Sequence, residues 1–289
     1  MNIITSLEDM QKTAQALRQA GKRIGLVPTM GFLHEGHLSL IKLARLQADV
    51  VILSIFVNPT QFGPNEDFSR YPRDFEHDAA LCADAGVDII FNPAPEIMYA
   101  TGYSVYVEEN ALAKGLCGAA RPGHFRGVLT VVAKLFNLTL PDVAVFGQKD
   151  AQQARLIQQM TRDLNFPTII LLAPIIREAD GLAKSSRNTY LSPAERREAL
   201  CLTQALKTAR RLYREGERDA GRIIAAMKVG IERISSARVD YIAIVDRDTL
   251  QQVQRIEAPV LAALAVYIGK TRLIDNLTLP EDGLSNLPE

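Results

Sequence analysis

"IGLVPTMGFLHEGHLSLI", residues 24–41, decides how the rest of the chain is read. The apolar run IGLVPT has the composition of a strand, and HLSLIKLARLQA (37–48) has the apolar spacing of a helix. Gly31 and Gly36 lie between them and permit a tight turn with a ligand close to the backbone. A strand, a glycine turn and a helix in succession offer unpaired N–H groups and partial positive charge at the helix start, a setting suited to phosphate. His34 and His37, two of only four histidines, fall in this turn. An arbitrary H-x-x-H reads most simply as two surface histidines; here the flanking elements turn the reading towards an anion. A metal is the weaker alternative. No third ligand is evident, and H-x-G-H lacks the i, i+4 spacing of H-E-x-x-H.

The same alternation runs outward from this stretch. VVILSIFV (50–57) reads as a strand buried on both faces, FEHDAALCADAG as a helix stopped by Gly86, and VDIIFNP as a strand. GVLTVVAKLFNLTL (helix), DVAVFG (strand), AQQARLIQQMTRDLN (helix) and TIILLAP (168–174, strand) complete the series. Strands alternating with helices predict an α/β domain with a mostly parallel sheet, whose ligands bind beyond the carboxyl ends of the strands. Near residue 177 the texture changes. SPAERREALCLTQALKTARRLYREG reads as one long amphipathic helix, with Ser192 and Glu195 at capping-box spacing and Pro193 in the first turn. A second helix from about Asp219 to Ile234 and three strand-like runs follow, which predicts a smaller α+β domain. The expected division is 1–176 and 177–289.

The 289 residues are 47% hydrophobic and 23% charged, with Lys+Arg and Asp+Glu equal at 33 each. That balance argues against a nucleic-acid-binding surface but leaves room for a small basic pocket. Cys82, Cys117 and Cys201 have neither zinc-ligand nor C-x-x-C spacing, which predicts reduced thiols in a reducing compartment. No signal peptide is visible, and no apolar run approaches the roughly 20 residues that span a bilayer. A cytoplasmic protein without nucleic-acid or membrane partners is expected.

Neither G-x-x-x-x-G-K-[ST] nor G-x-G-x-x-G occurs, so other loops after strands become candidates. VNPTQFGPNEDFSRYPRD (57–74) carries Asn58, Gln61, Tyr71 and Arg73, whose amides suit a hydroxyl or carboxylate; it reads equally as a solvated loop. FGQKDAQQARLI (146–157) repeats the strand–glycine–helix order. Lys149 can reach phosphate, Asp150 can meet a ribose hydroxyl or cap the helix, and Gln153 lies one turn on. READGLAKSSRNTYLS (177–192) holds four consecutive phosphate-capable residues, Lys184, Ser185, Ser186 and Arg187, after Gly181. It reads as a mobile clamp over a nucleotide rather than a solvated linker. RPGHFRGV (121–128) places Arg121, His124 and Arg126 before a helix.

H-x-G-H after a first strand, with a later K-S-S-R loop, resembles the nucleotidyltransferases of HIGH and KMSKS type. Taken together, PTMGFLHEGH, SIFVNPTQF, RYPRD, RPGHFRGV, FGQKDAQQ, DGLAKSSRN and RLIDN resemble the pantoate–β-alanine ligase (pantothenate synthetase) family in the family's order, over residues 28–276. The resemblance implies a Rossmann-like nucleotidyltransferase domain, a homodimer, and condensation of pantoate with β-alanine through pantoyl adenylate, with ATP as substrate and Mg²⁺ carried on it. His34 and His37 would contact the phosphates, His37 as proton donor to the leaving group; Met30 and Gly31 would lie near the nucleotide. Gln61 and Gln153 would hold pantoate, with Asn58 shaping the pocket and Gln61 also meeting β-alanine. Gly147, Gln148 and Asp150 would border the ribose, Lys149 the phosphates and the Ile176 backbone the adenine. Lys184, Ser185, Ser186 and Arg187 would clamp the phosphates. The resemblance assigns no protein ligand to the metal. Lys184 and Gln148 depart from the family pattern, where an apolar residue and Glu are frequent, so their roles stay open.

Two rivals remain on the sequence. A related nucleotidyltransferase or tRNA-charging enzyme is disfavoured by the neutral charge and the uncharged Gln61/Gln153 pair. A non-catalytic nucleotide-binding module would not need a histidine pair and a cationic loop.

Overall fold

The computed structural model describes residues 1–64 and 66–288. In chain order its strands and α-helices are β1 (Asn2–Ile4), α1 (Leu7–Gln19), β2 (Ile24–Thr29), α2 (Glu35–Arg45), β3 (Val50–Ile55), α3 (Phe75–Asp84), β4 (Ile89–Phe91), α4 (Pro95–Met98), α5 (Leu116–Ala120), α6 (His124–Thr139), β5 (Val143–Gly147), α7 (Ala151–Asp163), β6 (Ile169–Ala173), α8 (Pro193–Glu198), α9 (Leu200–Arg214), α10 (Ala220–Glu232), β7 (Ala237–Asp246), β8 (Val260–Ile268) and β9 (Thr271–Leu279). Among the described residues no helix is long and apolar enough to cross a membrane.

The chain forms two compact units. The first comprises Met1–Asn110, Arg121–Gly147 and Gln153–Ala173. Its six strands are parallel, in the order β1-β4-β3-β2-β5-β6, with helices between them: a Rossmann-like arrangement. Leu40, Ile41 and Ala44 of α2 meet Val51 and Leu53 of β3 and Val145 of β5 in a closed apolar core. β1 and α1 lie before the first strand expected from the sequence. A three-residue edge strand carries too little apolar pattern to be seen, although Ser6 caps α1 by accepting from Asp9 N.

The strand order reverses at β2, where β3 lies to one side and β5 to the other. Ligand crevices open at such a point, and Pro28 shapes this one. β2 pairs with β3 along its whole length, but its ladder with β5 covers only Gly25 and Leu26. The carbonyl of Thr29 accepts from Phe56 N on the β3 side. By alternation Pro28 faces β5, where it has no N–H to give. The sheet therefore comes unlaced between β2 and β5 at the ends from which the glycine turns leave.

The second unit comprises Ala111–Ala120, Gln148–Gln152 and Pro174–Glu289. Its antiparallel sheet, β7-β8-β9, packs apolar residues against α9 and α10, with Leu206, Ile223, Met227, Leu264 and Leu277 in its core. The long helix expected after Ser192 is interrupted by one residue. Ala199 keeps helical dihedrals, but Leu202 N bonds its carbonyl at i+3, so the ladder tightens between α8 and α9. Ser192 and Glu195 form the expected capping box.

Candidate active site

His34 is the N-cap of α2, whose first residue, Glu35, lies two residues earlier than the apolar spacing indicates. Its Nδ1 accepts from Gly36 N at 3.1 Å, and Nδ1 of His37 reaches back to accept from His34 N at 3.2 Å. The pair thus builds a capping box from two imidazoles, their ring centroids 4.1 Å apart. Backbone nitrogens can only donate, so each neutral ring carries its proton on Nε2. Two N–H donors are presented at the amino end of α2, where the helix dipole favours an anion. Thr29 Oγ1 pins the preceding turn, accepting from Gly31 N at 3.2 Å and donating to the Ser54 carbonyl at 2.7 Å.

After β3 the chain enters a one-turn 3₁₀ helix, Pro59–Gln61, capped by Asn58. Asn58 is 1% exposed, and both polar atoms of its side chain are engaged. Its Nδ2 donates to Gln61 Oε1 (3.0 Å) and to the Gly127 carbonyl (3.1 Å). Its Oδ1 accepts from Thr60 Oγ1 (2.9 Å) and Tyr99 OH (2.8 Å). The Gln61 side chain is thereby oriented, and its Nε2 lies 3.2 Å from Met30 Sδ. The loops after β2 and β3 are joined through that contact.

RPGHFRGV buttresses the same turn from the start of α6. Glu66 holds Arg121 in a two-pronged pair, Oε1 to Nε at 2.6 Å and Oε2 to Nη2 at 2.7 Å. Arg121 Nη1 donates to His124 Nε2 at 2.9 Å, and His124 Nδ1 donates to the Gln61 carbonyl at 2.9 Å. A guanidinium cannot accept and a carbonyl cannot donate, so His124 is the opposite tautomer to His34 and His37. Burial pushes the Glu66 carboxyl up, but the hydrogen bond and charge of Arg121 outweigh it and hold the group below its ordinary range.

The remaining candidates, apart from Gly147 at the end of β5 and Gln153 on α7, belong to the second unit. Gln148–Asp150 forms a 3₁₀ turn. Asn276 of β9 clasps it, donating from Nδ2 to the carbonyls of Gln148 and Lys149, both at 3.0 Å. The buried Gln148 amide donates to Asn276 Oδ1 at 3.2 Å. Lys149 Nζ stands 4.0 Å from the Asp150 carboxylate. The Lys184–Arg187 segment follows a short bridge between Arg177 and Ala183, and Lys184 N donates to the Ile176 carbonyl at 2.9 Å. Ser185 caps the 3₁₀ helix Ser186–Tyr190, and Ser186 is buried. Asn188 Nδ2 binds Glu178 Oε1 (2.9 Å), while Arg196 holds Glu178 (3.0 Å) and Asp180 (2.9 Å). The base of this loop is therefore bracketed by ions and amides.

Met30, Asn58 and Gln61 are in one bonded group, and His34 and His37 in another on the same unit. Sequence reasoning missed three residues that hold candidate residues or the turns that carry them. Asn276 sits in RLIDN, whose strand pattern offers no hint of its contacts. Glu66 looks like one more loop acid. Asp78 had a readable signal: it lies four residues before Cys82 on the buried face of α3, where an acid demands a partner.

A family model described as pantoate-beta-alanine ligase matches residues 2–278. A pantothenate synthetase of Moorella thermoacetica is 57% identical, covering 96% of this chain and 99% of its own length. One from Thermotoga petrophila is 55% identical, covering 96% and 100%. Among solved structures, the pantothenate synthetase of Thermus thermophilus aligns with a TM-score of 0.91 at 43% identity, over 96% of this chain and 99% of that one. The pantoate-beta-alanine ligase of Francisella tularensis, in complex with beta-gamma ATP and beta-alanine, aligns at 0.75 and 36%, over 96% and 97%.

Proposed function

The chain belongs to the pantoate–β-alanine ligase family, and from that premise we propose how its residues share the chemistry. The reaction is the ATP-dependent condensation of pantoate with β-alanine. Pantoate carboxylate attacks the α-phosphorus of ATP, pyrophosphate departs, and the β-alanine amine displaces AMP from pantoyl adenylate. A carboxylate is a poor acyl donor to an amine, and AMP is a good leaving group. The protein's task is therefore alignment and stabilisation of phosphate charge, with water kept from the adenylate.

The observation that carries the assignment of roles is the imidazole capping box. It fixes the Nε2–H donors of His34 and His37 at a helix start beside the unlaced end of β2. In this reading both bind ATP phosphates, and His37 gives its proton to the departing pyrophosphate. Met30 and Gly31 border the nucleotide. Gln61, oriented by Asn58, takes pantoate together with Gln153, and Gln61 also meets β-alanine. Gly147, Gln148 and Asp150 face the ribose, Lys149 the phosphates and the Ile176 backbone the adenine. Lys184, Ser185, Ser186 and Arg187 close on the phosphates. The Gln148 side chain is spent on Asn276, which supports a backbone role for that position.

Mg²⁺ enters as the counter-ion of ATP in this reading, with phosphate oxygens and water as ligands. Among the described residues no group of three or more His, Cys, Asp or Glu side chains is placed to hold a metal ion. The cytoplasm, where ATP is supplied, is the proposed location. A homodimer is the proposed assembly, and light scattering on a sizing column should return twice the 31.9 kDa chain mass. The test of function is stepwise. ATP and pantoate alone should release pyrophosphate, and AMP should appear on adding β-alanine. Release with another acid but not with pantoate would move the chain to a different substrate.

A further inference from the structure

The turn that delivers the two histidines is strained. Gly31 has φ 81° and Phe32, which is not glycine, has φ 53°. Two successive residues in the left-handed region turn their neighbouring N–H groups into one concavity that suits an anion, and a non-glycine residue stays there only when its surroundings hold it. The anion is internal. Asp78, 1% exposed on α3, accepts from Phe32 N through Oδ2 and from Leu33 N through Oδ1, both at 2.7 Å. A Cβ on Gly31 would fall 2.8 Å from Oδ2, so position 31 leaves room for the carboxylate and for nothing more. Burial pushes the Asp78 carboxyl above its ordinary range, while the Leu33 and Phe32 N–H bonds pull it back. Burial and the charge of Asp78 together push the Cys82 thiol up to about 12.

We propose that Asp78 is a positioning residue for adenylate formation: its carboxylate holds the Phe32 and Leu33 N–H groups, fixes the left-handed turn, and so fixes the aim of the His34 and His37 rings. The chain passes from Leu33 directly into His34, whose own N–H anchors His37. Release of the two amides would let Phe32 relax to negative φ, and the imidazole capping box would lose its register. The proposal rests on the phosphate-facing role given above to the two histidines, and its test separates the two ideas.

The test uses the full chain with Asp78→Asn, alone and combined with Phe32→Gly, read by imidazole ¹⁵N spectra and by single-turnover pyrophosphate release. In the parent protein above neutral pH, the His34 and His37 signals should show protonated Nε2 and bare Nδ1, and His124 the reverse. In Asp78→Asn the first two should average between tautomers while His124 keeps its pattern. The adenylation rate should fall roughly a hundredfold, the scale set by ångström-sized misplacement. The KM for pantoate should stay within about threefold, since the Asn58–Gln61 turn is untouched. Adding Phe32→Gly should recover roughly tenfold, because glycine accepts the left-handed turn without the carboxylate. Ordered tautomers in Asp78→Asn, or no recovery with Phe32→Gly, would overturn the hold assigned to Asp78. Disordered rings with an unchanged rate would overturn the histidine role, and this inference with it. If Asp78→Asn does not fold, Gly31→Ala is read instead. It must disorder the same two rings, and if it leaves them ordered the proposal fails.

Discussion

A Cβ built on Gly127 would lie 2.4 Å from the Thr60 carbonyl oxygen and 2.7 Å from Gln61 Cα. Both neighbours are backbone, so the added methyl cannot be accommodated by turning a side chain. Gly127→Ala should therefore push α6 from the Asn58–Gln61 turn, at a cost of about 1–3 kcal/mol in unfolding free energy. The KM for pantoate should rise about tenfold or more, equivalent to roughly 1.4 kcal/mol. A thermal melt with a pantoate titration checks both. His37→Ala acts at the reacting end instead. Loss of one aligned donor to developing charge costs roughly 3 kcal/mol, so the single-turnover rate of pyrophosphate release should fall on the order of a hundredfold. Pantoate binding, proposed above to rest on Gln61 and Gln153, should change little; an unchanged rate would refute the role. At this scale the sequence was legible where a residue type is rare and its flanks are regular, as with His34 and His37. It was silent where a common polar residue acts through one distant contact, as with Asn276.

Elements explain why some boundaries were visible and others were not. IGLVPT, VVILSIFV and DVAVFG announced themselves because both faces of a central parallel strand are buried, leaving uninterrupted apolar runs. β1 was invisible for the converse reason, being a three-residue edge strand with two exposed positions. α8 and α9 read as one helix since nothing in their apolar spacing records a single tightened turn at Ala199. The turn after β3 and the start of α6 are also tied by a charge, and that tie has a pH signature. Arg121 holds the Glu66 pKa below the ordinary 4.5, so the folded state binds this proton less readily than the unfolded chain. Its contribution is complete above about pH 4.5 and is lost as pH falls through the lower folded value. Melting curves of Glu66→Gln and the parent should differ at neutral pH and converge as the pH falls through the lowered folded value. A difference that persists undiminished in acid would show that the pair contributes by shape alone.

On the scale of the whole molecule, the two sheets were expected from the alternation of strands and helices up to residue 174 and its loss afterwards. The membership of the second unit was not, because Ala111–Ala120 and Gln148–Gln152 lie far up the chain from the sheet they join. Pairing at such separation leaves no periodic trace. Inside that unit Gln152 accepts from Cys117 N and donates to the carbonyls of Leu112 and Gly115, all at 2.9 Å. Cys117 Sγ lies 3.3 Å from Tyr241 OH on β7 and 3.6 Å from the guanidinium nitrogens of Arg272 on β9, and its residue is 8% exposed. Synthesis runs from the amino end, so the ribosome releases Cys117 long before Tyr241 and Arg272 exist. Nascent chains stalled before residue 237, with Cys117 as the sole cysteine, should be alkylated readily by a maleimide, and the finished protein should resist it. Equal reactivity in both would mean that the late strands do not seal the thiol. The last third of the gene thus completes a shelter begun by its middle, and the thiol stays open to reagents until β9 has emerged.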